Sequence, residues 1–308
     1  MPLRPVTSVR RLGSPIAKAA FEVSPLRPFG AEIIGADLGG SISASSDLAQ
    51  NLRRELDAHG LLVVRDQNFH PDDHLAVSSI FGEIFPLPPR YQHERSPHPT
   101  RILRMSNDVA EGFQGVGTTL RDGGPGWHVD GTSYKTPFCA AVMHMDRVPR
   151  GAAPTLFLPL APLARHLRAA RPEWERLWLR CSSSDDAILH PLLFAHPRTG
   201  APSVTLGKTY GSVWRGGGPE RAADADETAA TVADLRTLVD DFVASAAQPV
   251  YRHDWREGDV VLVDNLATAH LAPPETQKPV SEIGLRVLHR VVVAGTAALA
   301  PFYTSESS

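Results

Sequence analysis

Cysteine is nearly absent from this chain of 308 residues: only Cys139 and Cys181 carry thiols. Two are too few for a disulfide framework, and their separation fits no metal-ligand spacing, so the default compartment is a reducing cytoplasm. Lysine is scarce as well; arginine supplies most of the 31 basic residues, and no Lys/Arg block stands out. With a net charge of −3 the chain offers no reason to expect a nucleic-acid partner. No apolar run approaches the roughly 20 residues needed to cross a bilayer. The opening Met1-Pro2-Leu3-Arg4-Pro5 leads into no apolar core of secretory type. These absences exclude membrane and nucleic-acid partners and leave a small-molecule partner, with a homo-oligomer open.

What is present is a series of short β patterns with few helices. Ser46 to Ala58 reads as a helix, with Leu48, Leu52 and Leu56 on one face and Gly60 placed to end it. Leu61–Val64 is a short apolar strand. Further strands are expected at 140–145, 155–160, 190–195, 203–206, 259–263 and 285–293. Two helical insertions interrupt them: 163–179, broken near Pro172, and 228–246, where Val232, Leu235, Val239 and Phe242 form the stripe. Trp214 to Pro219 reads as a loop. The Pro-, Arg- and Gly-rich segment 86–126 is too long for a passive connection and is expected to act as a lid. Many short strands point to a mainly β architecture with flanking helices, a sandwich or jelly roll. One domain over 1–308 accommodates all of it.

His-x-Asp occurs three times, at His70-Asp72, His128-Asp130 and His144-Asp146. The first opens a helical pattern, with Pro71 and two acidic residues in the first turn. The third closes the apolar run Ala140–Met143 and reads as a strand end. His128-Val129-Asp130 differs. A Gly-rich approach, Gly123 to Trp127, precedes it, and on an extended segment positions i and i+2 point to the same side. A second His, His270, lies where the buried-strand pattern Val260–Val263 runs out into a polar loop, and Arg286 follows it. Two imidazoles and one carboxylate are the set that binds Fe(II) on one face and leaves the other open. The trailing Arg suits a second, dicarboxylate ligand, since its planar fork meets both carboxylate oxygens.

The chain resembles the taurine dioxygenase/TfdA-like family of Fe(II)- and 2-oxoglutarate-dependent oxygenases, nearly end to end. Gly35-Ala36-Asp37-Leu38 and His59 to Gln67 are similar to that family's opening strands, with Phe81-Gly82-Glu83 following. Trp127 to Thr132 resembles its proximal iron motif. Asp264-Asn265 with His270 resembles the distal one, and Arg286-Val287-Leu288-His289-Arg290 the Arg-containing strand. The resemblance implies a double-stranded β-helix core and His128, Asp130 and His270 as iron ligands. It implies Fe(II), 2-oxoglutarate and O2 as cofactors, succinate and CO2 as products, and oxidation of a substrate C–H bond. Arg286, with help from Thr155, would hold the cosubstrate's distal carboxylate.

Substrate residues are less determined. Arg290, four after Arg286 and expected on the same strand face, matches the residue that meets the taurine sulfonate. The His that assists it falls near Leu87 here, so the resemblance implies an organic anion other than taurine. Lys208 and Tyr210 are further candidates for the pocket wall, or else surface residues. Two other classes stay open on the residues alone. A zinc hydrolase also uses two His and a carboxylate, but would leave Arg286 and Thr155 unexplained. A non-catalytic β-sandwich would leave the metal set unexplained.

Overall fold

Runs of β-branched residues too short to stand alone are stabilised by pairing, and among the described residues they form four sheets, two of which face each other across the core. The structure, a computed structural model, describes residues 21–40, 42–114, 126–150, 153–182, 188–216 and 221–302. Seven strands make the large sheet, in the order β1 (Glu22–Pro25), β2 (Ala31–Ile34), β3 (Leu61–Val64), β14 (Val260–Asp264), β5 (Ala140–Arg147), β16 (Val287–Val293) and β4 (Leu103–Ser106). Only β2 and β3 run parallel. The small sheet consists of β13 (Tyr251–His253), β6 (Thr155–Pro159) and β15 (Thr268–Leu271), all antiparallel. His128 bridges to His270 at its edge.

Strand alternation separates three apolar layers. Val63, Met143, Val261 and Leu288 point inward and meet Phe157, Tyr251 and Trp255 of the small-sheet side. The outward neighbours Leu62, Val64, Val142 and Leu262 pack under α1 (Asp47–His59) and α2 (Pro71–Ser79). Leu158 and Ala269, on the far side of the small sheet, meet α3 (Leu160–Ala170) and α4 (Ala225–Val243). Each fully buried Leu or Phe contributes about 1.5–3 kcal/mol relative to exposure, so the two-faced strands stabilise both sides at once. The described chain is mainly β with a sandwich core, as the sequence leads one to expect.

Local signals explain several boundaries. The Ser46 hydroxyl accepts from the Ala49 N–H to start α1, and Gly60, at φ 71°, ends it in the left-handed conformation. The His70 ring accepts from the Asp72 N–H and the Asp73 carboxylate accepts in return from the His70 N–H, so His70-Asp72 is a helix start. Where sequence and structure differ, tertiary pairing is the cause. The helix expected over 163–179 begins at Leu160 and ends at Ala170. After a 3-10 turn at Pro172–Arg176, Trp178–Arg180 is drawn into a strand, β7. That strand joins β12 (Arg221–Ala222), β11 (Ser212–Arg215) and β8 (His190–Pro191). Trp214 and Arg215 therefore belong to a strand, and residues 217–220 of the expected loop lie outside the described residues.

A third small sheet holds β10 (Pro202–Val204), β9 (Leu193–Ala195) and β17 (Ala300–Pro301). The helix expected over 228–246 starts earlier, because the Asp224 carboxylate caps the Glu227 N–H. The opening strands are 22–25 and 31–34, so Gly35–Leu38 follows them and is not itself a strand. Within the expected lid, Leu103–Ser106 pairs with β16 as the sheet edge, and 115–125 lie outside the described residues. Among the described residues no helix is long and apolar enough to cross a membrane.

Candidate active site

His270 does not sit in a loop; it is the third residue of β15, opposite Phe157 of β6. That register turns its ring toward the space between the sheets. His128 exchanges both backbone bonds with it, 3.2 Å from His128 N–H to His270 carbonyl and 3.0 Å in return, and the rings lie 4.3 Å apart. Asp130 reaches them by a turn. In a regular strand, residues i and i+2 share a face with their Cα atoms about 6.6 Å apart, so long side chains can converge on one point. Here Gly131, at φ 81°, bends the chain, and a Cβ there would lie 2.8 Å from the Phe138 nitrogen. The Asn265 side chain holds the bend, accepting from Asp130 N–H (2.9 Å) and donating to the carbonyls of Asp130 (2.9 Å) and Phe138 (2.7 Å). Donor atoms of His128, Asp130 and His270 consequently all lie within 4.8 Å of one another, and all three residues are buried.

The electrostatics suit a divalent cation. His128 Nδ1 faces the Gly126 carbonyl at 2.8 Å, the bond that places the ring proton on Nδ1 and leaves the Nε2 lone pair aimed at the centre. Burial, with Lys208 and His270 nearby, holds His128 well below its ordinary value; burial lowers His270 to about 4. Burial raises Asp130, but Arg290, Lys208 and the two imidazoles outweigh it and keep the carboxylate ionised. Two neutral imidazoles and one carboxylate bind a metal without first giving up protons. His128 Nε2 lies 3.8 Å from Oδ1 of Asp130, and His270 Nε2 lies 3.6 Å from Oδ2.

Around this centre the other sequence candidates divide. Arg286 immediately precedes β16; it is buried, its Nε has no partner, and burial lowers it only to about 10, so it stays charged. Among the described residues no carboxylate pairs with it. The Thr155 hydroxyl accepts from Trp255 Nε1 at 2.9 Å, which leaves its own proton to donate elsewhere. Arg290 faces inward, in register with Met143, and its charge is already met: its guanidinium donates to Asp130 Oδ2 at 2.7 Å. Lys208 donates to Oδ1 of the same carboxylate at 3.1 Å and is 43% exposed. Tyr210 packs against the helix-side core, and its hydroxyl accepts from the Gly207 N–H. Leu87 is buried, with its N–H on the Thr100 carbonyl.

Some contributors had little or no sequence signal. Asn107 accepts from the Arg286 N–H and donates to the Lys278 and Gly284 carbonyls, pinning the chain where Arg286 emerges. Nothing in the pattern around 107 marks it, because its partners lie more than 170 residues away. Phe85, Tyr134 and Phe138 form an aromatic group with centroids 4.8–5.5 Å apart, against the Asp130–Gly131 turn. An apolar groove of about 530 Å³, lined by Trp127, Leu156, Val243, Val250 and Leu271, opens on the opposite side of the small sheet. Trp127 and Leu271 point into it while their neighbours His128 and His270 point the other way, so it is not the active site.

Residues 22–291 match the family described as "Taurine catabolism dioxygenase TauD, TfdA family". An (S)-phenoxypropionate/alpha-ketoglutarate-dioxygenase of Sphingobium herbicidovorans is 26% identical over 290 residues, covering 83% of this chain and 90% of the relative. Pentalenolactone F synthase of Streptomyces arenae is 28% identical over 288 residues, covering 81% and 89%. A taurine dioxygenase from Burkholderia xenovorans superposes with a TM-score of 0.71 over 92% of both chains at 23% identity. AAD-2, solved with Mn(II) and N-oxalylglycine, gives 0.65 at 19% identity over 90% of this chain and 98% of that one. The fold is thus shared with solved dioxygenases, and a metal-ready triad stands within it. The chain belongs to the taurine catabolism dioxygenase TauD/TfdA family and is an Fe(II)- and 2-oxoglutarate-dependent dioxygenase.

Proposed function

We propose that His128, Asp130 and His270 hold the iron, that Arg286 and Thr155 receive the distal carboxylate of 2-oxoglutarate, and that the substrate is a small organic anion other than taurine. Bound at the triad, Fe(II) with 2-oxoglutarate and O2 supplies the oxidising power for a C–H bond, the cosubstrate leaving as succinate and CO2. The protein's own part is to bind, orient and exclude water. Arg286 carries the cosubstrate assignment: a buried guanidinium without a carboxylate is costly unless an anion meets it. The Thr155 proton, freed by the Trp255 bond, is available to the same anion. This pair also disfavours a zinc hydrolase, which has no use for it.

The substrate reading rests on charge. Arg286, Arg290 and Lys208 stand against the single carboxylate of Asp130. One dicarboxylate and one divalent metal leave cations in excess, so an anionic substrate is favoured. Phe85, Tyr134 and Phe138, with Leu87 where a sulfonate-binding His would stand, make the surroundings apolar. A carboxylate on a hydrophobic body fits both features, and the phenoxypropionate in one relative's name is such a molecule. Residues 1–308 would form one oxygenase domain working in the cytoplasm, where the free thiols Cys139 and Cys181 stay reduced. Substrate-stimulated succinate release over a panel of aryloxy acids, acylated amino acids, taurine and neutral analogues tests the proposal. Turnover of a neutral compound equally by the wild type and Arg290→Ala would overturn the anion reading.

A further inference from the structure

The Asp130 carboxylate is shared by two side-chain cations and two imidazoles. Arg290 sits on Oδ2 at 2.7 Å and Lys208 on Oδ1 at 3.1 Å, and both imidazole Nε2 atoms approach the same carboxylate within 3.8 Å. A divalent metal held by the triad would share this carboxylate with both side-chain cations and repel them, so the one that can leave most cheaply gives way. The two are not equivalent. Arg290 is buried, 13% exposed, and a guanidinium torn from its carboxylate there would remain desolvated. Lys208 is 43% exposed on a long flexible stem, and its ammonium regains water by swinging outward at little cost.

The chain around Lys208 is built to hold its root still while the tip moves. Leu206 accepts from the Val129 N–H at 3.0 Å, locking the segment alongside the His128–Asp130 turn. The Tyr210 hydroxyl accepts from the Gly207 N–H, and a Cβ at Gly207 would lie 2.8 Å from the Cys181 sulfur, so the backbone there is closely fitted. We propose that Lys208 competes with the metal for Asp130, and that metal loading releases it to the mouth of the site as an anion receptor beside Arg290. The inference rests on the triad being the metal site and adds a regulatory step to it.

The test uses metal-free full-length protein and Mn(II) alone, with free Mn(II) read by electron paramagnetic resonance. Lys208→Met should bind Mn(II) roughly fivefold tighter than wild type, the size of one partly screened ion pair, whereas Lys208→Arg should bind it as wild type does. A second readout follows the lysine itself. There are four lysines in the chain, which makes acylation easy to assign by peptide mass spectrometry. Mn(II) should speed acylation of Lys208 several-fold and leave Lys278, paired with Glu282 at the surface, unchanged. Equal Mn(II) affinity in wild type and Lys208→Met, or a Lys208 acylation rate indifferent to Mn(II), would overturn the proposal while leaving the metal site intact. Equal Mn(II) binding by wild type and His270→Ala would be the different failure: the triad reading itself falls, and this inference with it.

Discussion

His128-x-Asp130 and His144-x-Asp146 have the same spacing and belong to the same sandwich, yet only one gathers its side chains. His144 and Asp146 belong to the long strand β5. Its pleat turns His144 outward, onto Phe69 at 5.3 Å and beside His289 at 6.1 Å, while Asp146 is taken by Arg104 at 3.5 Å. Among the described residues no third ligand joins them. His128 touches a strand through a single bridge, and Asp130 lies in a turn held by Gly131 and Asn265. Spacing alone is therefore not enough: a site forms where a third ligand, His270, faces the pair, whereas His144 and Asp146 are already committed to Phe69, His289 and Arg104.

Loss of a ring should have opposite consequences in the two histidine groups. His270→Ala should abolish turnover and metal binding, a larger loss than the roughly 10- to 100-fold typical of outer partners, while His144→Ala should keep full metal stoichiometry by anaerobic titration. Equal stoichiometry in both variants would remove the distinction. Next in size, Arg286→Leu should raise the KM for 2-oxoglutarate by about 30-fold or more, since losing a buried charge partner costs about 2–5 kcal/mol. An unchanged KM would mean that another cation meets the cosubstrate.

Smaller effects sharpen the role of the turn. Gly131→Ala puts a Cβ against Phe138 and holds a non-glycine residue at positive φ, a strain of about 1–3 kcal/mol. It should weaken metal binding measurably, whereas a substitution at Gly200, where nothing lies within 4 Å of a Cβ, should leave it alone. Chelator competition reads both. The outer histidine group predicts a pH effect instead. Burial lowers His74 to about 3 and His289 to about 4. Above about pH 6.5, the ordinary histidine value, both states are neutral and stability is unaffected. As pH falls below it, the unfolded chain takes up protons that the folded one refuses, so stability declines until about pH 4 to 3. Urea denaturation between pH 7 and 5 should show this slope, and it should be shallower in His289→Leu.

Much of the fold and the iron ligands could be read from residue order, because each rests on local or repeating chemistry. The apolar, β-branched runs in Leu61–Val64 and Val287–Val293, the Ser46 and His70 caps, and the Gly60 stop need only neighbouring residues to act. The His-x-Asp motif, the later His270 and Arg286 named the chemistry before any geometry. Only the tertiary structure decided which cations share Asp130, that Thr155 receives the Trp255 N–H, and that Asn107 pins Arg286 from 179 residues away. It also turned Trp178–Arg180 into a strand and gave His270 a strand of its own. Periodicity reports which way a side chain points. What it meets there depends on which distant strand pairs beside it, and that is settled by packing the two sheets together.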